Sequence, residues 1–311
     1  MQPNITTMKK ICVPMLLCIA MMVASCGKPT GYGNLDVRIS HTANGKPLVT
    51  DTLVLTNEAG NRYLVTEIQW FISNITLRDE EGNTYTLSHR EVGTLFPTAQ
   101  EHIFYIDTNI PGSQTLEVAP LPCGHYTSIS FTFGLDQDDN QTGLFTNPPE
   151  SNMFWPEPLG GGYHYMKLNG KYLDGDGNMV PLNVHLGIGQ NATHSQFYQN
   201  YFTVDIPIDF LLEENQDNGI CIDMNIDNWF RGPHVYDFNT YGSAIMQNQE
   251  AQNILKENGN DVFSVTTTNT MKNFIEISRQ IITLSAPQPH FFSWENMKKT
   301  LFNLRNLKVR V

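Results

Sequence analysis

The sequence predicts an all-β protein, an antiparallel β-sandwich of the immunoglobulin-like kind with long loops and one or two short helices. Three observations predict it. Many short segments alternate apolar and polar residues with a period of two, as strands buried on one face do. Turn-forming Asn, Asp, Gly and Pro separate those segments at short intervals. Helical signals are few, and no internal repeat recurs at a fixed period.

Taken in order, Leu35 to His41 alternates cleanly, and Asn44-Gly45 closes it with a turn. Tyr63 to Asn74 and Ile75 to Arg78 are rich in aromatic and β-branched residues; Glu81-Gly82-Asn83 is a turn, and Thr84 to Leu87 a return strand. Gln114 to Val118 follows, ended by Pro120, Pro122 and Gly124. In Tyr126 to Phe133, Ile129, Phe131 and Phe133 share one face and Ser128, Ser130 and Thr132 the other. Tyr163 to Leu168 and Leu182 to Gly187 read as the two arms of a hairpin, and Tyr201 to Ile208 as a further strand. Asp209 to Glu214 is expected to form a short helical turn. Ser243 to Glu257 is the best helix, with Ile245, Ala251, Ile254 and Leu255 near helical spacing and Asn258-Gly259 as its stop.

The N-terminal residues read as a leader. From Met8, Lys9 and Lys10 precede an apolar run from Ile11 to Val23, short of the roughly 20 residues a membrane helix needs. Val23-Ala24-Ser25-Cys26-Gly27 resembles a lipobox, and Cys26 is the expected lipidation site, the alternative being an ordinary signal peptide with a chance cysteine. Residues 1–25 then form a lipoprotein-type signal peptide, 26–34 a linker, 35–265 the body and 266–311 an atypical basic tail. This implies an outer-membrane lipoprotein of a Gram-negative bacterium, in the periplasm or at the cell surface, attached to the membrane through lipid on Cys26. Export to an oxidising compartment leaves Cys123 and Cys221 either as one disulfide or as two separate thiols.

Charge divides the chain. Cys26 to Thr270 holds 10 Lys and Arg against 29 Asp and Glu, whereas residues 271–311 hold 7 against 2. An acidic body argues against nucleic acid, which needs a basic footprint. No GxSxG, HExxH or CxxC pattern is present, so nothing marks an enzyme, a zinc ribbon or a redox motif.

Three stretches carry candidate chemistry. Asp174-Gly175-Asp176-Gly177-Asn178 begins like a calcium loop, but Met179 and His185 stand where Gly and Glu are required, and a hairpin turn explains it better. Asp136 to Asn140 offers oxygens to a hard cation or is a solvated loop. The third runs from Asn152 through Trp155 to Leu168 and resumes at Asn183 to Gly187. It places His164 and His185 on neighbouring strands with Met153 and Met166 nearby; imidazole suits copper and zinc and thioether suits copper(I), while lone histidines on strands are more often structural.

Phe131 to Gly134, Met153-Phe154-Trp155, Gly162 to Gly170 and His185-Leu186-Gly187 resemble the MbnP-like copper-binding protein family, as do His41 to Leu48, Phe71 to Ile75 and Asn258 to Phe263. The resemblance covers roughly Leu35 to Val265. It implies a periplasmic or surface β-sandwich in which two histidines and a tryptophan oxidised to kynurenine hold copper, the oxidation being made by a di-haem peroxidase-like partner. Trp155 matches the motif tryptophan. His164 and His185 are the candidate ligands, with His41 as a third and Met153 and Met166 near the metal. The expected function is copper acquisition or handling without catalysis. The rival is a non-catalytic envelope module for a sugar, peptide or protein, using Trp70, Phe71, Trp155, Tyr163, Tyr165, Trp229 and Phe230 as exposed platforms.

Overall fold

The computed structural model describes residues 31–268 apart from 91–99, 192, 194 and 243. The expected leader, Cys26 and the residues beyond Thr268 lie outside the described residues. Eleven strands carry the architecture: β1 (Asp36–Ala43), β2 (Arg62–Asp79), β3 (Thr84–Thr86), β4 (Ile103–Asp107), β5 (Thr115–Glu117), β6 (Gly124–Phe133), β7 (Met166–Leu173), β8 (Met179–Leu186), β9 (Phe202–Leu212), β10 (Gly219–Asn225) and β11 (Phe263–Thr267). Two helices, α1 (Phe238–Tyr241) and α2 (Gln249–Asn258), lie between β10 and β11.

The larger sheet has eight strands in the order β8-β7-β2-β6-β9, with β3, β4 and the two-residue strand Leu55–Thr56 also pairing with β2. The smaller has five, in the order β11-β10-β1 and then Lys46–Pro47, with β5 against β1. In the smaller sheet pairing is antiparallel except between β10 and β1. The sheets meet face to face: Phe263 of the smaller sheet packs against Trp70, Phe131 and Phe133 of the larger at ring separations of 5.2 to 6.0 Å. This is the sandwich that alternation predicts, with Ile129, Phe131 and Phe133 all buried inward.

β2 organises the site. Its first half pairs with β7 and its second with β6. The handover falls at Phe71, whose N–H donates to Tyr165 O while its carbonyl accepts from Gly134 N. The chain between β6 and β7 therefore leaves the sheet and rejoins it at one residue, and everything from Leu135 to His164 is an excursion from that point.

Several expectations are corrected. Asp209 to Glu214 is not a helical turn: the alternation continues, Phe210 and Leu212 are buried, and β9 runs on to Leu212. The helix expected from Ser243 begins only at Gln249, because the Asn248 side chain accepts from Ala251 N and caps it there. The arm expected from Tyr163 begins as regular strand only at Met166. The body extends two residues past Val265, since β11 includes Thr266 and the buried Thr267. Cys123 and Cys221 are separate free thiols rather than a disulfide: Cys221 Sγ lies 3.4 Å from Ser40 Oγ on the smaller sheet, and Cys123 stands beside Glu213 and Glu214.

The Asp174 loop is a hairpin turn. Asp174 Oδ1 accepts from Asp176 N and Asn178 N, which occupies the carboxylate without an ion. Asp79-Glu80-Glu81-Gly82-Asn83 repeats that device, Asp79 Oδ1 accepting from Glu81 N and Asn83 N. Asp136 likewise closes its own loop onto Asp138 N and Asp139 N.

Candidate metal centre

Trp155 and His164 are brought together by a small hairpin inside the excursion. Trp155 N donates to Gly162 O, and His164 N donates to Met153 O at 2.6 Å. The connection turns through Pro156 to Gly161; Gly160, Gly161 and Gly162 all have positive φ, which suits glycine and little else. Trp155 is fully buried, its Nε1–H donating to Leu159 O at 3.0 Å. Its benzene edge lies over Gly187, where a Cβ would come within 2.5 Å of Trp155 Cε3.

The hairpin of β7 and β8 supplies His185, opposite Lys167 in register. His164 and His185 meet edge to face with ring centroids 5.2 Å apart, and Trp155 meets His164 at 4.7 Å. Two imidazoles and an indole thus form one contiguous cluster at the edge of the larger sheet.

Hydrogen-bond partners fix the tautomers. His164 Nδ1 lies 2.8 Å from Met153 O. A carbonyl only accepts, so Nδ1 carries the proton and Nε2 presents a lone pair. That Nε2 is buried without a hydrogen-bond partner. Both imidazoles are held neutral. Burial, with the Lys167 ammonium as a smaller cause, pushes His164 down to about 3 and His185 down to about 4. Lys167, whose own pKa is lowered by burial, donates from Nζ to Asn152 O. A neutral imidazole with an unused lone pair in an apolar wall has the chemistry of a metal ligand, so the residues present fit a soft or borderline cation.

His41 is not brought to this pair. It lies on β1 in the smaller sheet, and its Nε2 accepts from Trp70 Nε1–H at 3.1 Å. That bond takes the Nε2 lone pair and leaves Nδ1 buried without a partner, and among the described residues the structure does not bring the expected third ligand to the other two histidines. Met153 and Met166 are fully buried. Met153 serves through its backbone carbonyl on His164, and Met166 pairs with Trp70 and Leu186 in the sheet. The aromatic platforms of the rival reading are not exposed: Trp70, Phe71, Trp155, Tyr163, Tyr165, Trp229 and Phe230 all belong to the core. A cleft of about 590 Å³ lies elsewhere, lined by Phe104, Tyr105, Phe145 and Glu150 among others, and includes neither histidine. Among the described residues no group of three or more His, Cys, Asp and Glu is placed to hold a metal, which leaves the two-imidazole cluster as the candidate.

The family model for MbnP matches residues 32–253. The chain belongs to the MbnP family. Among solved structures it is similar to MbnP from Methylosinus trichosporium, at 14% identity, over 76% of this chain and 99% of that chain, with a TM-score of 0.49. Among curated proteins none matches. The MbnP match takes in Trp155, His164, His185 and His41, and ends before β11.

Two features of the site escaped the sequence reading. Asn169 Oδ1 lies 2.8 Å from His185 Nε2. Glu67 in turn accepts from Asn169 Nδ2 at 3.4 Å. Asn169 falls within the quoted Gly162 to Gly170 segment, but no spacing marks it as a partner of His185; Glu67 reaches it only through strand pairing.

Proposed function

We propose that this MbnP-family chain binds copper through His164 and His185, beside Trp155, and serves copper acquisition or handling without catalysis. The observation that carries the reading is the buried, unpartnered Nε2 of His164 in edge contact with a second neutral imidazole. His164 would hold the metal through Nε2, and the buried Trp155 ring excludes water from one side. Copper there is cargo, and two imidazoles suit copper(I) or an open copper(II) site. Oxidation of Trp155 to kynurenine by a di-haem peroxidase-like partner, lipid attachment at Cys26 and an outer-membrane location in the periplasm or at the surface belong to the same proposal.

The test is copper per chain after loading and desalting, for the native protein, His164→Ala and His185→Ala. One tightly held copper per chain, lost in both variants, is the expected result. No retained copper, or copper indifferent to both changes, overturns the reading.

A further inference from the structure

We propose that Asn169, oriented by Glu67, is a positioning residue that fixes which nitrogen of His185 faces the metal. The inference rests on the reading of His164 and His185 as ligands and extends it to the groups behind them. On the outer face of the larger sheet, Glu67, Asn169 and Asn183 form one cross-strand row, and Gln69, Lys167 and His185 the next. Asn169 is therefore diagonal to His185, within reach of a long side chain.

The logic is one of donors and acceptors. A carboxylate only accepts, so the contact between Glu67 Oε2 and Asn169 requires the amide to turn its NH₂ toward Glu67. That leaves Asn169 Oδ1 toward His185 Nε2, and Oδ1 only accepts. His185 Nε2 must then carry the proton, and Nδ1 is the lone pair left for a metal. Glu67 is itself held, Oε1 accepting from Asn109 Nδ2 at 3.0 Å. Asn109 N donates to Asp107 Oδ1, and Asp107 is buried at the end of β4. The side-chain series Asn109, Glu67, Asn169, His185 runs donor to acceptor up to the imidazole, and buried Asp107 anchors the backbone of Asn109. His164 is set the opposite way by the Met153 carbonyl, so the two ligands offer different nitrogens, Nε2 and Nδ1. Groups that orient a ligating imidazole typically change metal affinity by roughly 10- to 100-fold when removed.

The experiment is ¹⁵N NMR of the metal-free full chain labelled at histidine, followed by copper(I) competition titration. The expected native spectrum has His185 as a single tautomer protonated at Nε2. Asn169→Asp, which keeps the acceptor, preserves it. Asn169→Leu converts it to a mixture while His164 stays unchanged, and weakens copper(I) binding about 10- to 100-fold. Should Asn169→Leu not fold, Glu67→Gln serves instead. The amide introduced there offers Asn169 either a donor or an acceptor, so a minor His185 tautomer is expected. A native His185 protonated at Nδ1, or a tautomer indifferent to Asn169 and Glu67, overturns the proposal even if copper binds through both histidines. The expected tautomers in a protein that binds no copper uphold the orientation and overturn the metal reading instead.

Discussion

Among the described residues two pairs of histidine and tryptophan stand in edge contact, and they differ in where the indole N–H goes. Trp70 gives its N–H to His41 Nε2, which takes that ring's lone pair and leaves its Nδ1 as the nitrogen buried without a partner. Trp155 gives its N–H to Leu159 O, which leaves His164 Nε2 without a donor. Burial and residue type are nearly the same in the two places: both histidines are buried, and desolvation lowers both pKa values, to about 4 for His41 and about 3 for His164. The Trp70 indole takes the lone pair of His41, whereas that of His164 stays open with a second imidazole, His185, beside it. The turn Pro156 to Gly161 makes the Trp155 bond possible, because it brings a backbone carbonyl back over the indole.

The comparison can be broken in three ways, the largest effect first. Gly187→Ala drives a methyl group into Trp155 and leaves the Trp70 pair untouched. Crowding of this kind in a packed core costs about 1–3 kcal/mol. In a domain of this size that lowers Tm by about 2–4 °C per kcal/mol. Thermal unfolding measures it, and copper retention falls with it if Trp155 walls the site.

Acid comes next. The His41 pKa is lowered in the folded protein, so between about pH 6.5 and 4 the unfolded chain binds the proton more readily than the folded one. Its contribution is present above pH 6.5 and lost as pH falls toward 4. At about pH 5 the loss is about 2 kcal/mol. Denaturant titrations at about pH 7 and about pH 5 measure it, and His41→Gln removes that share of the pH dependence. An unchanged slope in His41→Gln would locate the acid sensitivity elsewhere.

The smallest effect sharpens the contrast. At neutral pH, His41→Gln supplies a side-chain oxygen to the Trp70 N–H, so stability changes by about 1 kcal/mol or less. Copper per chain stays at the native value. A loss of copper in this variant would place His41 in the metal site after all.

The sequence was legible wherever a local period decides structure. Ile129, Phe131 and Phe133 alternate and are buried as alternation requires, and the Asp174 and Asp79 loops announce themselves by Asp, Gly and Asn at fixed offsets. What was not legible depends on distant chain. The parallel pairing of β10 with β1 has no local signature. Asp209 to Glu214 carries acidic residues that read as a turn, yet pairing with β6 extends the strand through Leu212. At the site, His164, His185 and Trp155 were found through their motif, and they do meet. The Trp70 bond that takes the His41 lone pair was not visible, because the indole is 29 residues away. Nor was Glu67, 102 residues before Asn169 in the chain, since only the register of β2 against β7 joins them.

The excursion that begins and ends on Phe71 makes the loop that carries Trp155 and His164 a cassette. Its two ends are fixed by one residue's N–H and C=O, so the sheet does not register how many residues lie between them. Doubling the length of such a loop adds only about 0.6 kcal/mol of closure entropy. Length can therefore vary in the exposed part of the loop, whereas Met153, Trp155 and Tyr163, which belong to the core, are the part of it that the sandwich reads, with Gly187 and His185 on β8 and its C-terminal edge as the fixed half of the socket.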